Sequence, residues 1–272
     1  MPLLPLLGHS VAAFGFASER SLAWGVARAW HAAGASVSIG IASERFRPAL
    51  ERLTAGWGVA APSAGLPAQR APCIVVADVR DDASLDAAFA AVSASSGGRL
   101  RAVLHAVAHA PPAALRAPLL ACSRADWAAT QDVSAYSLLA LAARAAPLLA
   151  AGGPGGSILC LSHAGAVRAA AGYGVMGPAK AALEALARGL AAEMGPSGVR
   201  VNVISAGPVD TLAARGLPGF TAMRDATRAR TPLRAAVTQA DVGALAAFLV
   251  SDAAAAITGQ TLYVDAGDSS VM

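Results

Sequence analysis

The chain has 272 residues, of which 56% are hydrophobic, 14% charged and 5% aromatic. Such a composition allows a full buried core and excludes an intrinsically disordered protein. The formal net charge is +4, but the arginines are scattered and no basic run alternates with aromatic residues. The sequence therefore gives no indication of a nucleic-acid-binding protein.

Three features bear on the cellular compartment. The cysteines Cys73, Cys122 and Cys160 are odd in number and far apart, which is typical of a reducing compartment and of neither a metal site nor a disulfide framework. The apolar residues 1–17 lack the basic start of a signal peptide and include two prolines. No stretch of about 20 apolar residues runs without glycine, proline or charge. We therefore expect a cytoplasmic protein that binds neither a metal nor a membrane.

The first half of the chain alternates between short apolar strands and helices. A strand at 11–14 is followed by a turn at 15–19 and by a helix that begins near Leu22 and is closed by Gly34. A second strand at 36–41, a helix at 47–57 and a loop at 58–72 come next. A third strand at 73–77, a helix at 81–95 and a fourth strand at 102–107 complete this half.

The second half continues the alternation. A loop at 109–118 precedes a long helix at 123–151, which we expect Pro147 to break near its end. A strand at 157–161, a helix at 174–194, a strand at 199–204, a helix at 241–250 and a last strand at 261–264 follow. Strict alternation predicts one Rossmann-type α/β domain over residues 1–272, a doubly wound parallel sheet with helices on both faces. The segment 209–231 is too long for an ordinary connection and is interpreted as a substrate lid.

One lysine stands out. The chain has 21 basic residues, and all but Lys180 are arginines. A guanidinium does not replace a compact ammonium on a flexible stem, so this position is a candidate for a specific chemical role. Tyrosine is also scarce, and Tyr173 lies seven residues before Lys180, which places both on one face of a helix if the helix begins early enough.

The first strand-to-helix turn is a candidate phosphate site. Gly15 lies where a Rossmann domain brings its backbone close to a pyrophosphate, although no further glycine of a G-x-G-x-x-G pattern follows. Ser21, at the start of the next helix, has two interpretations, because its hydroxyl can donate to a phosphate or cap the helix.

These segments together resemble a known family. The run from Gly15 to Ala23, the run Tyr173-Gly-Val-Met-Gly-Pro-Ala-Lys180, and the segments at 195–202 and 205–208 are similar to the bacterial enoyl-acyl-carrier-protein reductases. These are a divergent branch of the short-chain dehydrogenase/reductase family, whose other members space the tyrosine and lysine four residues apart. The likeness extends from Gly8 to about Gly267.

The resemblance implies a role for each matching position. Tyr173 would hydrogen-bond the thioester carbonyl and stabilise the enolate, and Lys180 would hold the nicotinamide ribose. The implied cofactor contacts are Gly15, Ser21 and Leu22 at the pyrophosphate, Ala42, Asp78 and Val79 at the adenosine, Val107 at the nicotinamide, and Val209, Asp210, Thr211, Leu212 and Ala213 at the carboxamide and phosphates. The implied substrate contacts are Ala110, Met176 and Phe220, the last two of which are equally well explained as core residues.

Three positions depart from the family pattern. His163, a third candidate catalytic residue, stands where most members have a second tyrosine, Ala108 replaces a glycine, and Ala42 replaces a polar residue. His163 either donates a proton as an imidazolium, in which case activity falls as the pH rises through roughly 6 to 7.5, or merely fills the volume of the tyrosine or faces solvent.

The resemblance implies reduction of a trans-2-enoyl thioester on acyl carrier protein in fatty acid biosynthesis, by a homotetramer. It favours NADH over NADPH, although the second strand, which ends Ile41-Ala42-Ser43-Glu44-Arg45, has no acidic residue at its tip for a ribose 2′-hydroxyl and Arg45 could reach a 2′-phosphate. Two alternatives stay open: a reductase of a ketone or specialised enone, and a dinucleotide-binding protein with weakened catalysis.

Overall fold

Parallel strands form the centre of the protein in a computed structural model, which describes residues 5–57, 69–153, 155–170, 172–216 and 219–271. Across these ranges one seven-stranded sheet is present, and its strands are β1 Ser10–Phe16, β2 Ser36–Ile41, β3 Cys73–Val76, β4 Ala102–His105, β5 Gly156–Ser162, β6 Val199–Ala206 and β7 Thr261–Val264. The strand order is β3-β2-β1-β4-β5-β6-β7. The direction of winding changes between β1 and β4, and ligands bind doubly wound sheets at this switch point.

Helices cover both faces of the sheet. They are α1 Leu22–Ala32, α2 Arg47–Leu53, α3 Asp82–Ser96, α4 Pro112–Arg116, α5 Arg124–Gln131, α6 Ser137–Ala151, α7 Met176–Met194, α8 Leu212–Arg215, α9 Phe220–Arg230 and α10 Gln239–Val250. The buried side chains of α1 and α10 pack on one face around Trp30 and Leu249. Those of α3, α6 and α7 pack on the other face around Phe89, Leu141 and Leu183. The predicted doubly wound α/β fold is confirmed.

The predicted closure of the first helix by Gly34 is confirmed, because Gly34 follows the C-cap residue Ala33 with a φ of +98° and its N–H donates to the His31 carbonyl at 2.9 Å. Three details differ from the sequence predictions. Pro147 lies inside α6 without breaking it, because the fully buried Ala145 and Leu149 hold the last turns against the sheet and outweigh the lost hydrogen bond. The predicted helix at 47–57 ends at Leu53. The predicted loop at 109–118 contains α4. Most of the predicted loop at 58–72, residues 58–68, lies outside the described residues.

A turn of π-helix, Asp132–Tyr136, joins α5 to α6 within the predicted helix at 123–151. Serine side chains of this turn and of the start of α6 bond to the end of β4 and to the loop after it. The Ser134 hydroxyl accepts from the His109 backbone N–H at 2.9 Å and donates to the His109 carbonyl at 2.8 Å. The Ser137 hydroxyl donates to the Val133 carbonyl and lies 2.7 Å from His105 Nε2. The wider turn therefore fixes the loop that leaves the end of β4.

The N-terminus of α10 offers a test of local stability. Thr238 and Asp241 form a capping box, in which the threonine side chain accepts from the Asp241 backbone and the aspartate accepts from the Thr238 N–H at 2.8 Å. We expect Thr238→Ala to lower the free energy of unfolding by about 1 kcal/mol, since a backbone donor loses its partner. Urea unfolding would measure it, with the exposed Thr221→Ala in α9 as control; equal effects in both variants would contradict the capping role.

Candidate active site

A cavity of about 580 Å³ opens at the carboxyl ends of β1, β4, β5 and β6. Most of the sequence-predicted site residues line it: Gly15, Ser21, Leu22, Ala110, His163, Tyr173, Met176, Lys180, Val209, Thr211, Leu212, Ala213 and Phe220. The position is the one expected for a ligand of a doubly wound sheet.

Gly15 brings the backbone of β1 to the cavity. It occupies a bulge in the pairing of β1 with β2, and its φ of +108° belongs to a region that glycine adopts without strain. A Cβ atom at this position would overlap the carbonyl of Ala106. The cradle formed by the turn between β1 and α1 and the backbone after β4 thus requires glycine, and Gly15 lines the cavity near the positive end of the α1 dipole.

Ser21 is the N-cap of α1. Its hydroxyl accepts from the Trp24 backbone N–H at 3.3 Å and donates to the Ser18 carbonyl at 2.7 Å. Of the two interpretations of this serine, the structure favours helix capping. Ser21 nevertheless lines the cavity, at the end of α1 where the first N–H groups of a helix are available to an anion.

Tyr173 and His163 lie side by side in the segment between β5 and α7. Their ring centroids are 4.8 Å apart. Burial raises the pKa of Tyr173, so the phenol remains a neutral donor over the range in which enzymes work. Gly165 packs against this pair, since a Cβ at position 165 would overlap the Tyr173 ring.

The ring of His163 is held in one tautomer. The Gly165 backbone N–H donates to Nδ1 at 3.0 Å, so this nitrogen carries no proton and Nε2 is the donor. Burial lowers the pKa of His163, and the charge of Lys180 lowers it further, against an opposing effect of Asp268. The structure therefore favours a neutral imidazole over the imidazolium that one interpretation of the sequence required.

Lys180 is the most deeply enclosed cation of the cavity. Its side chain is 6% exposed, and Nζ donates to the Leu161 carbonyl of β5 at 2.7 Å. Burial lowers the pKa of Lys180 to about 8. Tyr173 precedes α7, which begins at Met176 rather than at the predicted 174, so the tyrosine is carried by the turn before the helix.

The segment 209–231 covers the cavity with two helices. Phe220 at the start of α9 is 5% exposed, and Met176 and Ala110 belong to a separate small apolar cluster. Arg230 of α9 pairs with Asp268 at 2.7 Å, which ties this segment to the C-terminal residues. All of these residues line the cavity.

Five predicted cofactor residues lie outside the lining of this cavity: Ala42, Asp78, Val79, Val107 and Asp210. The first four follow β2, β3 and β4 within three residues and share the carboxyl edge of the sheet with the cavity. The Asp78 carboxylate bonds to Arg80, which lowers its pKa. The Asp210 carboxylate pairs with Arg215 of α8 at 2.6 Å, so its side chain is directed to that neighbour.

Two structural features were missed by sequence reasoning. The Ser162 hydroxyl donates to the buried Glu184 carboxylate at 2.5 Å, beside Lys180. Arg168 donates to the carbonyls of Asp268 and Ser269 at the edge of the cavity. Glu184 follows Lys180 by four residues, which is the one signal that could have directed attention to it.

Comparisons with known proteins agree with this geometry. The family model described as Enoyl-(Acyl carrier protein) reductase matches residues 15–269. The chain belongs to this family. The enoyl-[acyl-carrier-protein] reductase [NADH] FabI of a Nostoc species is 40% identical over 97% of this chain and 98% of its own length. The enzyme of the same name from Escherichia coli is 38% identical over 97% and 95% of the two chains.

Solved structures of this reductase family share the whole fold. The Bacillus cereus enoyl-acyl carrier protein reductase with NADP⁺ and indole naphthyridinone superposes with a TM-score of 0.90 at 35% identity, over 98% of this chain and 99% of its own. The reductase of Anaplasma phagocytophilum in complex with NAD has a TM-score of 0.88 at 36% identity, over 100% and 97% of the two chains.

The cradle at Gly15 is testable by substitution. Gly15→Ala in this reductase should lower the melting temperature and abolish the rise in that temperature that NADH produces, because the added methyl group pushes the Ala106 backbone into the cofactor site. Differential scanning fluorimetry would measure both. The control is Gly189→Ala on α7, where a Cβ meets open space and helix propensity favours alanine. If NADH raises the melting temperature of Gly15→Ala as much as that of wild type, Gly15 is not required for cofactor binding.

Proposed function

We propose that the protein reduces trans-2-enoyl thioesters on acyl carrier protein, with NADH as the reductant, in the elongation cycle of fatty acid biosynthesis. The observation that carries the proposal is the meeting of Tyr173, Lys180 and His163 in one cavity at the switch point of the sheet. Relatives that cover nearly the whole chain carry this activity in their names.

The cofactor would extend along the carboxyl edge of the sheet. Gly15 and the first turn of α1 would receive the pyrophosphate, with Ser21 and Leu22 beside it, and the ends of β2 and β3 at Ala42 and Asp78 would receive the adenosine. Val79 would lie at the adenine, Val107 at the nicotinamide, and residues 209–213 would close over the carboxamide and phosphates. Bound NADH supplies the hydride for the β-carbon of the substrate.

The preference for NADH fits the end of β2. Arg45 stacks on the Phe46 ring, with its guanidinium carbon 4.6 Å from the ring centroid, and Glu44 is bonded to Arg47. The arginine that could reach a 2′-phosphate therefore already has a partner, and an acidic residue lies next to it. Both features disfavour a third phosphate at this end of the site.

Tyr173 would act on the substrate carbonyl. A hydride that reaches the β-carbon leaves negative charge on the thioester oxygen, and a donor aimed at that oxygen stabilises the transition state by several kcal/mol. The raised pKa of Tyr173 keeps the phenol protonated, as this role requires. Lys180, held by the Leu161 carbonyl, would present its remaining N–H groups to the nicotinamide ribose.

The neutral His163 would add a second donor beside Tyr173. With Nδ1 engaged by Gly165, the Nε2–H offers one hydrogen bond, as the phenol of a tyrosine does. Met176, Ala110 and Phe220 would surround the acyl chain with apolar surface, and residues 209–231 would act as the lid. The single domain would thus carry the whole reaction.

A homotetramer in the cytoplasm would complete the proposal. The helical stretch from Arg124 to Ala151 is long and apolar enough to cross a membrane by length and composition, yet 56% of its apolar window is buried inside the fold. Trp127 and Tyr136 on this stretch are 44% and 51% exposed. Contact with another copy of the chain would cover this surface and remove apolar area from water.

One assay tests the activity. Purified protein is mixed with crotonyl thioester or a longer enoyl thioester and with NADH or NADPH, and absorbance of the reduced nicotinamide is followed. The proposal requires enoyl-dependent oxidation of NADH. Faster turnover of a 3-oxoacyl thioester, or cofactor binding without oxidation, would overturn it. A kcat/KM for NADPH more than about tenfold above that for NADH would reverse the cofactor choice.

Tyr173→Phe isolates the hydrogen bond to the substrate. We expect kcat to fall by at least about tenfold while the dissociation constant of NADH stays unchanged, because a contact made only in the transition state is lost. Steady-state kinetics and nicotinamide fluorescence measure the two quantities, with Tyr263→Phe, the half-exposed tyrosine at the far edge of the cavity, as control. Unchanged turnover in Tyr173→Phe would show that Tyr173 does not donate this hydrogen bond to the substrate.

The protonation state of His163 has a kinetic consequence. Because the pKa of His163 is lowered from about 6.5, the neutral ring predominates over pH 6.5 to 7.5, and we expect kcat/KM to show no falling limb there. The profiles of wild type and His163→Tyr should have the same shape over this range. A falling limb in wild type that His163→Tyr moves to higher pH would show that the imidazolium is the donor.

A further inference from the structure

A buried acidic side chain lies behind the cavity and has no role in the reaction described so far. Glu184 of α7 is 5% exposed, and its Oε1 accepts from the Ser162 hydroxyl at 2.5 Å. Across the described ranges, no cation forms an ion pair with it within 4 Å. A buried carboxylate with one neutral partner loses much of its hydration, so its presence in the core calls for a compensating charge.

Lys180 supplies that charge one helical turn away. Residues four apart lie on the same face of a helix, and both side chains of α7 point to β5. The ammonium donates to the carbonyl of Leu161, and the carboxylate accepts from the side chain of Ser162, the next residue of the strand. Two opposite charges therefore bond to adjacent residues of β5 in an interior of low dielectric constant, where charges act on each other across longer distances than in water.

Other titratable groups around Lys180 carry no charge near neutral pH. They are Cys160 on β5, His105 on β4, and His163 and Tyr173 in the segment between β5 and α7. Burial raises the pKa of Cys160 to about 12 and lowers that of His105 to about 3. Burial also raises the pKa of Tyr173 and lowers that of His163. Among the described neighbours of Lys180, Glu184 is therefore the acidic group that can balance the ammonium.

We propose that Glu184 is a positioning residue of the cofactor site, whose carboxylate keeps Lys180 in its ammonium form and thereby maintains cofactor affinity at alkaline pH. The inference rests on the proposed role of Lys180 as the ribose donor. Glu184 acts through Lys180, and Ser162 holds the carboxylate in place.

The lone lysine makes the charge of Lys180 directly measurable. In protein labelled with [ε-¹³C]lysine, one side-chain resonance reports the titration of Lys180. Glu184→Gln keeps the volume and an oxygen that accepts from Ser162 but removes the charge. Loss of a nearby negative charge destabilises the ammonium, so we expect the midpoint of the titration to fall by about one pH unit. Glu193→Gln, an equal charge change at an exposed position of α7, should leave the midpoint in place.

Superimposable titrations of Glu184→Gln and Glu193→Gln would overturn the proposal. If Glu184→Gln does not fold, Cys160→Ala provides a second test. The proposal requires that the midpoint of the Lys180 titration is unchanged in Cys160→Ala, since the buried thiol is neutral. A downward shift of about one pH unit in that variant would assign the balancing charge to the thiolate instead and would also overturn the proposal.

Cofactor affinity provides the second measurement. The dissociation constant of NADH, followed by nicotinamide fluorescence, should rise with pH as Lys180 loses its proton near pH 8, and this rise should begin about one pH unit lower in Glu184→Gln. Lys180→Met should weaken binding and remove the pH dependence. If Lys180→Met binds NADH as wild type does, the proposed role of Lys180 fails and the inference fails with it. If Lys180→Met loses affinity while Glu184→Gln follows the wild-type pH curve, the inference alone fails.

Discussion

The bond from the Lys180 ammonium to the Leu161 carbonyl organises the site. A buried ammonium costs much free energy unless its protons are bonded, so α7 can dock on β5 only in the register that brings Lys180 to the end of that strand. This register also fixes the segment between β5 and α7, in which the Gly165 backbone receives the Tyr173 ring and bonds His163. One helix-to-strand contact thus positions the three side chains to which we assign the chemistry.

The alternation of strands and helices was predictable from the sequence because parallel strands buried on both faces read as short apolar runs. The predicted strand at 36–41 and the last strand at 261–264 have the observed bounds of β2 and β7. Features that depend on tertiary contacts were not predictable. The continuation of α6 through Pro147 is set by burial against the sheet, and the π-helical turn at Asp132–Tyr136 is stabilised by bonds from Ser134 to the distant His109.

In the candidate site, too, some residues could be predicted from the sequence and others depend on tertiary contacts. The scarcity of lysine directed attention to Lys180, and its spacing from Tyr173 carried the family resemblance, so both residues were found from the sequence. The pairing of Ser162 with Glu184 was not found, since it joins a strand to a helix 22 residues later and depends on how these two elements dock. The sequence allowed Ser21 either to donate to a phosphate or to cap the helix. Only its bonds to Ser18 and Trp24 in the structure favour capping.

The C-terminal residues bond to two segments that line the cavity but lie far apart in the sequence. Asp268 accepts from Arg230 of α9 through its carboxylate and from Arg168, which follows β5, through its backbone carbonyl. Asp265 holds this stretch in place by accepting from the backbone N–H groups of Gly267 and Ser269. The segment 209–231 and the loop that carries His163 therefore share one anchor after β7. A displacement of α9 that releases Arg230 acts on the electrostatic surroundings of His163 as well, because the charge of Asp268 raises the pKa of that histidine. The segment 209–231 and His163 are thus coupled by charge as well as by shape.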